Sequence, residues 1–240
     1  MSKLITVNLS YYNQSKDILL KHLEYWKAYP KETRDQFTFF IIDDCSKIHI
    51  SELLTKEDIG DLDVVVYRVK KDLICNIAGI RNLGAKQCQT PWYVIIDMDT
   101  LIPTAMAKEL IVLANEYMGK NKTFKFNRKV INNPSHPKNN QPHPAVCLIR
   151  IQDYWAVGGN EEDLVGSYGK TDGSFYHRAK GVLKVCVKHD IYVDYFEEGE
   201  SNINRDYRRN QKLVEQKIKN NSWSTDFVRF PWEIVTLNEG

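Results

Sequence analysis

Residues 92–99 read Trp-Tyr-Val-Ile-Ile-Asp-Met-Asp, five apolar residues that run into two carboxylates one residue apart. An uninterrupted apolar run of strand length belongs to a strand covered on both faces, the kind found in parallel sheets flanked by helices. The polar end matters as much, because in an open parallel sheet ligands bind outside the carboxyl ends of the strands. Two carboxylates at such an edge can hold a hard divalent cation, Mg2+ or Mn2+, which normally completes its shell with water and substrate phosphates. Asp97 and Asp99 are therefore candidate metal-binding residues, and a diphosphate substrate is implied.

Outward from this stretch the chain alternates strand and helix patterns. Leu4 to Leu9 is β-rich and ends in Ser10-Tyr11-Tyr12-Asn13; Ser15 then offers an N-cap to a helix whose Ile18, Leu19, Leu23 and Trp26 share a face, before Pro30. Phe37 to Ile42 is a second apolar run, ending in Asp43-Asp44-Cys45-Ser46, and Leu62 to Val69 a third. A helical stretch from Asn76 to Gln89 precedes the run at Trp92, and another follows Pro103, with Met106, Leu110, Leu113 and Ala114 in helical spacing. Four prolines between Asn132 and Pro144 predict a long irregular loop that carries His136 and His143. Beyond it come a short strand at Ala145–Ile149, a glycine-punctuated segment to Gly173, a strand at Leu183–Val187 and a charged helix from about Asn204 to Lys219. The expectation is an α/β fold with a mostly parallel central sheet flanked by helices and a smaller second subregion. It forms one domain over residues 1–240, with a ligand-binding half to about 103 and a second half from about 104.

The composition narrows the function classes. With 240 residues, 42% of them hydrophobic, the chain has material for one sizeable core. Thirty-three Lys and Arg against 31 Asp and Glu leave a formal charge of +2, so no global field draws the protein to nucleic acid. No apolar run approaches the roughly 20 residues of a membrane span, and no basic-then-apolar leader opens the chain; a cytoplasmic protein is expected. The late helix carries Arg205, Arg208, Arg209, Lys212, Lys217 and Lys219 beside an apolar Val214–Ile218 stripe. It reads as a solvated face docked on the core, with peripheral contact to an anionic acceptor or membrane surface as the alternative. Five scattered cysteines without a C-x-x-C pair read as reduced thiols. Absent G-x-S-x-G, H-E-x-x-H and P-loop patterns, and the lack of a glycine fingerprint after the first strand, disfavour hydrolases, kinases and dehydrogenases.

The ordered set Ile5-Thr6-Val7-Asn8 with Tyr12-Asn13, Ile41-Ile42-Asp43-Asp44-Cys45-Ser46, Ala78-Gly79-Ile80-Arg81-Asn82-Leu83-Gly84-Ala85 and Ile96-Asp97-Met98-Asp99 resembles the nucleotide-binding half of family 2 glycosyltransferases of the GT-A fold. Val157-Gly158-Gly159-Asn160-Glu161-Glu162 and Lys170-Thr171-Asp172 look like the acceptor-side patterns of those enzymes, so the resemblance runs from about residue 4 to about residue 180.

The resemblance implies a metal-dependent, inverting transfer of a sugar from a nucleoside-diphosphate donor, UDP-linked by preference, to a hydroxyl of a glycan, glycoprotein or glycolipid. Tyr12 matches the residue that packs on the base, with Asn13 beside it, and Asp44 the acid that accepts from the base. Asp97 matches the acid near the ribose, Asp99 the direct metal ligand for Mn2+ or Mg2+, and Asp172 the base that deprotonates the acceptor. Arg81 can grip the diphosphate or hold one of the carboxylates. Gly159 and Glu161 fall on the acceptor side, where Trp155 and Tyr168 offer rings for stacking on sugars. Thr171 replaces the usual acid before Asp172, and Phe196 occupies the place of a late metal-binding histidine, for which the upstream His189 is the candidate substitute. The alternatives are a nucleotidyltransferase, which would be expected to carry a glycine-rich loop after the first strand, and a catalytically silent carbohydrate- or nucleotide-binding domain of the same fold.

Overall fold

The computed structural model describes residues 2–196 and 204–239. Strands β1 (Ile5–Tyr11), β2 (Phe37–Asp43), β3 (Val64–Val69) and β4 (Trp92–Asp97) are the four apolar runs of the first half. Between them lie helices α1 (Lys16–Lys27), α2 (Lys31–Arg34), α3 (Ile50–Leu53), α4 (Lys56–Ile59) and α5 (Ile77–Gln87). The second half contributes β5 (Thr100–Leu101), α6 (Thr104–Glu116), β6 (Lys122–Val130), β7 (Pro142–Arg150), α7 (Ile151–Ala156), α8 (Thr171–Ala179), β8 (Lys184–Tyr195), α9 (Arg208–Asn220) and β9 (Trp232–Ile234).

All nine strands of the described residues join one sheet in the order β5-β8-β6-β7-β4-β1-β2-β3-β9. The block β4-β1-β2-β3 is parallel throughout, as the uninterrupted apolar runs require. β7 then pairs antiparallel with both β4 and β6, β5 with β8 and β9 with β3, while β6 and β8 are parallel, so the whole sheet is mixed. Side-chain alternation along β4 feeds two cores: Trp92, Val94 and Ile96 enter one with Phe39 and Leu110, whereas Tyr93 and Ile95 enter another with Ile149 and Phe175. A third cluster, Phe40, Ile42, Ile80, Leu83 and Phe230, joins α5 to the C-terminal segment.

Several boundaries differ from the sequence expectation, which holds no strand at β6 and starts the late helix about four residues before Arg208. β7 begins at Pro142, so His143 lies on a strand rather than in the loop; an edge-compatible Pro at the first strand position allows this. The strand expected at 183–187 continues to Tyr195, past a register shift against β6. β9 is not apparent from sequence, because three residues leave no periodicity to read. Among the described residues no helix is long and apolar enough to cross a membrane.

α5 is buried from Ala78 to Ala85, and two glycines let it lie so close to the sheet. A Cβ on Gly84 would stand 2.0 Å from Asn8 Oδ1 and 2.4 Å from Tyr93 Oη; one on Gly79 would stand 2.1 Å from Asn76 Oδ1 and 2.5 Å from Phe230 Cε1. Gly173 in α8 is the contrasting case, since a Cβ there would meet nothing within 4 Å. Gly84→Ala is expected to lower unfolding stability by about 1–3 kcal/mol through overpacking. Gly173→Ala should raise it by about 0.5–1 kcal/mol through helix propensity. Urea unfolding of the two variants beside the native chain checks both signs.

Candidate active site

The loops that follow β1, β2 and β4 meet at one edge of the sheet with the start of α5 and the start of α8. Asn13, at φ 51°, turns the chain after β1; its N–H donates to Ser46 Oγ at 2.8 Å and its Oδ1 accepts from Lys47 N at 2.8 Å. Asn and left-handed backbone are compatible in such a turn, and the two bonds tie the first two strand ends together. Tyr12 stands half-buried beside them, its hydroxyl 3.4 Å from Asp72 Oδ2. Asp43 is consumed structurally by Arg68 and by the Ser46 N–H.

Asp44 is 3% exposed. Its Oδ2 accepts from Asn76 N at 2.9 Å, and its Oδ1 is buried with no hydrogen-bond partner among the described residues. Burial pushes its pKa up to about 6, against the opposing pull of the Asn76 bonds. A buried acceptor without a donor is the feature a ligand N–H would complete.

Arg81 projects from α5 and is fully buried at 2% exposure. Its Nη2 donates to Asp97 Oδ1 at 2.8 Å and its Nη1 to Asp172 Oδ1 at 2.7 Å. Burial alone would pull the guanidinium pKa down, but the two carboxylates outweigh it and hold it well above its ordinary value. Arg81 thus holds the carboxylates, the second of the two roles open to it from the sequence. Asp172 lies in the first turn of α8, where the helix dipole favours a negative charge; the helix starts from Lys170 at φ 69°.

Asp97 and Asp99 flank a tight turn into β5 that Thr100 closes, its Oγ1 donating to Asp97 O at 2.8 Å. Ligand atoms of Asp97, Asp99 and His143 lie within 4.8 Å of one another. His143 is 3% exposed, and its Nε2 is 3.8 Å from Asp99 Oδ1. Its Nδ1 accepts the backbone N–H groups of Ala145, at 3.2 Å, and Val146, at 3.3 Å. With two donors aimed at Nδ1 and burial pushing its pKa down to about 4, the neutral ring carries its proton on Nε2, toward Asp99. His143 therefore presents an N–H to the carboxylate, and the hard oxygens of Asp97 and Asp99 are the donor set that suits Mg2+ or Mn2+.

His189 does not reach this cluster: it is exposed, and its carbonyl accepts from Asn127 Nδ2 at 3.1 Å near the register shift of β8. Phe196 contributes only backbone, its N–H donating to Asp99 O at 3.0 Å. Glu197 and Glu198, the end of the same segment, lie outside the described residues.

The acceptor-side residues divide. Tyr168, 37% exposed, lines the same cavity of about 240 Å3 as Tyr12, Asp44, Arg81, Asp99 and Asp172, and Arg205 sits 5.9 Å from its ring. Glu161 faces away: it is 1% exposed and accepts from both the N–H and the hydroxyl of Ser224. Glu162 likewise accepts from Val228 N at 2.7 Å, so the pair anchors the C-terminal segment. Trp155 packs against Phe227 at 5.4 Å between ring centres, and Gly159, at φ 57°, lies over Asn82.

Two asparagines that carry no role in the sequence reading hold this wall. Asn82 accepts from Tyr154 Oη at 2.6 Å and Asn160 N at 2.8 Å and donates to Glu162 Oε1 at 2.8 Å. Asn210 on α9, wholly buried, donates to the carbonyls of Leu164, Ser167 and Gly169 at 2.9–3.0 Å, which sets the loop that presents Tyr168. Asn82 lies inside a motif that sequence alone exposes; nothing marks Asn210.

The backbone is similar to that of S. aureus TarS 1–349 in complex with UDP-GlcNAc, with TM-score 0.68 and 16% identity over 92% of this chain and 68% of that one. It is similar also to GalNAc-T7 with UDP, GalNAc and Mn2+, with TM-score 0.68 and 12% identity over 89% of this chain and 48% of that one. At such identities the likeness shows the GT-A fold. No curated protein sequence matches the chain significantly. The model of glycosyl transferase family 2 matches residues 6–156, a stretch that runs from β1 through α7 and holds Tyr12, Asp44, Arg81, Asp97 and Asp99, and the chain belongs to that family.

Proposed function

We propose that the protein transfers a sugar from a UDP-linked donor to an acceptor hydroxyl with inversion, using Mn2+ or Mg2+ held by Asp99 and Asp97. The observation that carries this reading is the buried Arg81 that joins Asp97, at the donor end of the sheet, to Asp172 across the mouth of the cavity. Tyr12 offers an apolar face to the base, and Asp44 Oδ1 offers an acceptor to the N3–H of uracil. When bound, the cation neutralises charge developing on the departing diphosphate. Asp172 Oδ2 takes the proton of the attacking hydroxyl, while Arg81 fixes the carboxylate through Oδ1. A single displacement of this kind inverts the anomeric carbon, and no enzyme nucleophile is needed. The UDP-sugar named with TarS and the Mn2+ named with GalNAc-T7 support the donor and metal assignments. Tyr11-Tyr12-Asn13 forms a strand end and turn rather than a glycine-rich phosphate loop, which speaks against a nucleotidyltransferase.

Calorimetric titration of UDP and GDP, with and without Mn2+, tests the assignment. UDP should bind in preference to GDP and more tightly with the metal, and Asp99→Ala should remove the metal-dependent part. No binding of either nucleotide would leave the silent domain as the better reading.

Asp172→Asn should retain UDP binding yet lose transfer by about 10²–10⁴-fold, the range expected for removal of a general base. Radiolabelled or mass-spectrometric product formation separates the two effects.

Because Asp44 titrates near 6, its carboxylate is lost as the pH falls through that value. Affinity for a UDP-sugar, whose diphosphate diester does not titrate there, should drop by up to about 10-fold between pH 7.5 and pH 5, the limit set by protonation of a single group of that pKa. Asp44→Asn should bind weakly and without that pH dependence. Equal pH profiles for the native protein and the variant would contradict the role.

A further inference from the structure

Several cations withdrawn from water in this fold are met by carboxylates: Arg81 by Asp97 and Asp172, Arg68 by Asp43, Arg150 by Asp153, and Lys217 by Glu161 and Asp163, whereas Arg178 donates to the carbonyls of Val157, Gly158 and Gly159. Several half-buried cations form no ion pair among the described residues, Lys122, Lys125 and Arg128 on β6 and Lys188 on β8 among them, and Lys125 and Arg128 differ from the others in what stands around them. Neither Lys125 nor Arg128 forms an ion pair among the described residues, and Arg128 Nε is buried without a hydrogen-bond partner. Withdrawing a cation from water without a counter-charge is unfavourable, and the two also repel one another, each lying within the other's field.

Their position relative to the reacting groups is specific. Lys125 Nζ stands 4.3 Å from the centre of the Tyr176 ring, and Tyr176 is one helical turn beyond Asp172 on α8. Lys125 also lies close enough to Asp172 for their charges to interact. The Arg128 guanidinium stands 5.5 Å from the centre of the Tyr195 ring, the same ring that Lys138 Nζ approaches at 5.0 Å and whose hydroxyl accepts from Lys138 at 3.1 Å. Tyr195 pairs with Thr100, the residue after Asp99, and packs 5.9 Å from His143. Lys125 thus lies within the field of Asp172 and Arg128 beside the ring that packs on His143, yet neither belongs to the lining of the cavity assigned to the donor.

We infer that Lys125 and Arg128 form an anion subsite for the acceptor, so that the hydroxyl presented to Asp172 belongs to a molecule bearing a phosphate or carboxylate group. The inference rests on the transferase reading and adds a substrate class to it. The aromatic faces of Tyr176 and Tyr195 hold the two cations in place by cation–π contact, and the anion supplies the counter-charge that the described residues do not. A neutral acceptor would leave both charges uncompensated when it excluded water from them.

The test uses three small probes on the protein saturated with UDP and Mn2+: glucose 6-phosphate, methyl glucuronide and the neutral methyl glucoside. Binding is read by calorimetry at fixed ionic strength. One or both anionic probes should bind at least about 10-fold tighter than the glucoside, and Lys125→Met with Arg128→Gln should abolish the preference while leaving the UDP titration unchanged. A lead for the phosphate or for the carboxylate identifies which anion the subsite takes, and either upholds the inference. Equal binding of the three probes, or a preference that survives in the double variant, overturns it. The UDP titration on the same sample separates the two levels: UDP binding without an anion preference removes this inference alone, whereas absence of UDP binding removes the transferase reading and this inference with it.

Discussion

The rest of the site depends on one buried cation with two anions on it. Arg81 is 2% exposed and divides its guanidinium between Asp97 and Asp172, residues from the end of a strand and the start of a helix 75 positions later in the chain. Buried ion pairs are weak arguments for net stability, because desolvation offsets the Coulomb gain. Their geometric consequence is strong, since a planar guanidinium accepts carboxylates only along its N–H directions. Arg81 therefore sets the separation and orientation of two acids that would otherwise repel. That geometry requires α5 to lie close against the sheet, which the hydrogen side chains of Gly79 and Gly84 permit. The backbone carbonyl of Arg81 is itself held by the Tyr93 hydroxyl at 2.9 Å, so the strand that supplies Asp97 also fixes the helix that supplies its partner.

Around this bridge the electrostatics are sorted by side. Carboxylates crowd the edge where β1, β2 and β4 end, and two of them remain partly open to solvent: Asp97 is 30% and Asp99 25% exposed at the side chain. His143 completes the arrangement without adding positive charge, because burial keeps the ring neutral and the Ala145 and Val146 amides decide which nitrogen carries the proton. A ring in that tautomer turns its N–H toward Asp99. Asp44 is the opposite case, a carboxylate withdrawn from water with one oxygen satisfied and the other waiting, which is how a pocket gains selectivity for a donor of one shape.

The parallel half of the fold is legible because its strands are uninterrupted apolar runs whose polar ends fall at one edge by topology. Tyr12, Asp44, Arg81, Asp97, Asp99, Tyr168 and Asp172 meet in one cavity, and all but Arg81, which projects from α5, stand in or beside a strand end or a glycine-marked turn. Residues whose place depends on distant packing are the ones that sequence misleads on. Glu161 and Glu162 look like acceptor contacts in sequence but are spent on the C-terminal segment, because buried carboxylates must find donors and the amides of 224–229 are the ones at hand. His143 looks like part of a proline-rich loop, since Pro142 and Pro144 mask a strand whose pairing they do not prevent. Asn210 carries no signal, as its four-carbonyl clasp exists only after α9 has docked.

The same distinction explains why the chemistry of the site is easier to read than its acceptor. The carboxylates of the proposed donor site sit where the sheet ends, and local sequence reports strand ends. Lys125 and Arg128 are three residues apart on β6, a spacing that in a regular strand points side chains to opposite faces. The register shifts against both neighbours between Lys125 and Asn127, so that alternation cannot be carried across the interval from sequence. A bulge of this kind is paid for by the pairing on either side of it, with Phe124 and Phe126 anchored in the core and Val130 closing the strand. The surplus residues at these shifts lie in β7 and β8, so the surroundings of Lys125 and Arg128 are set by the neighbouring strands rather than by a motif in β6.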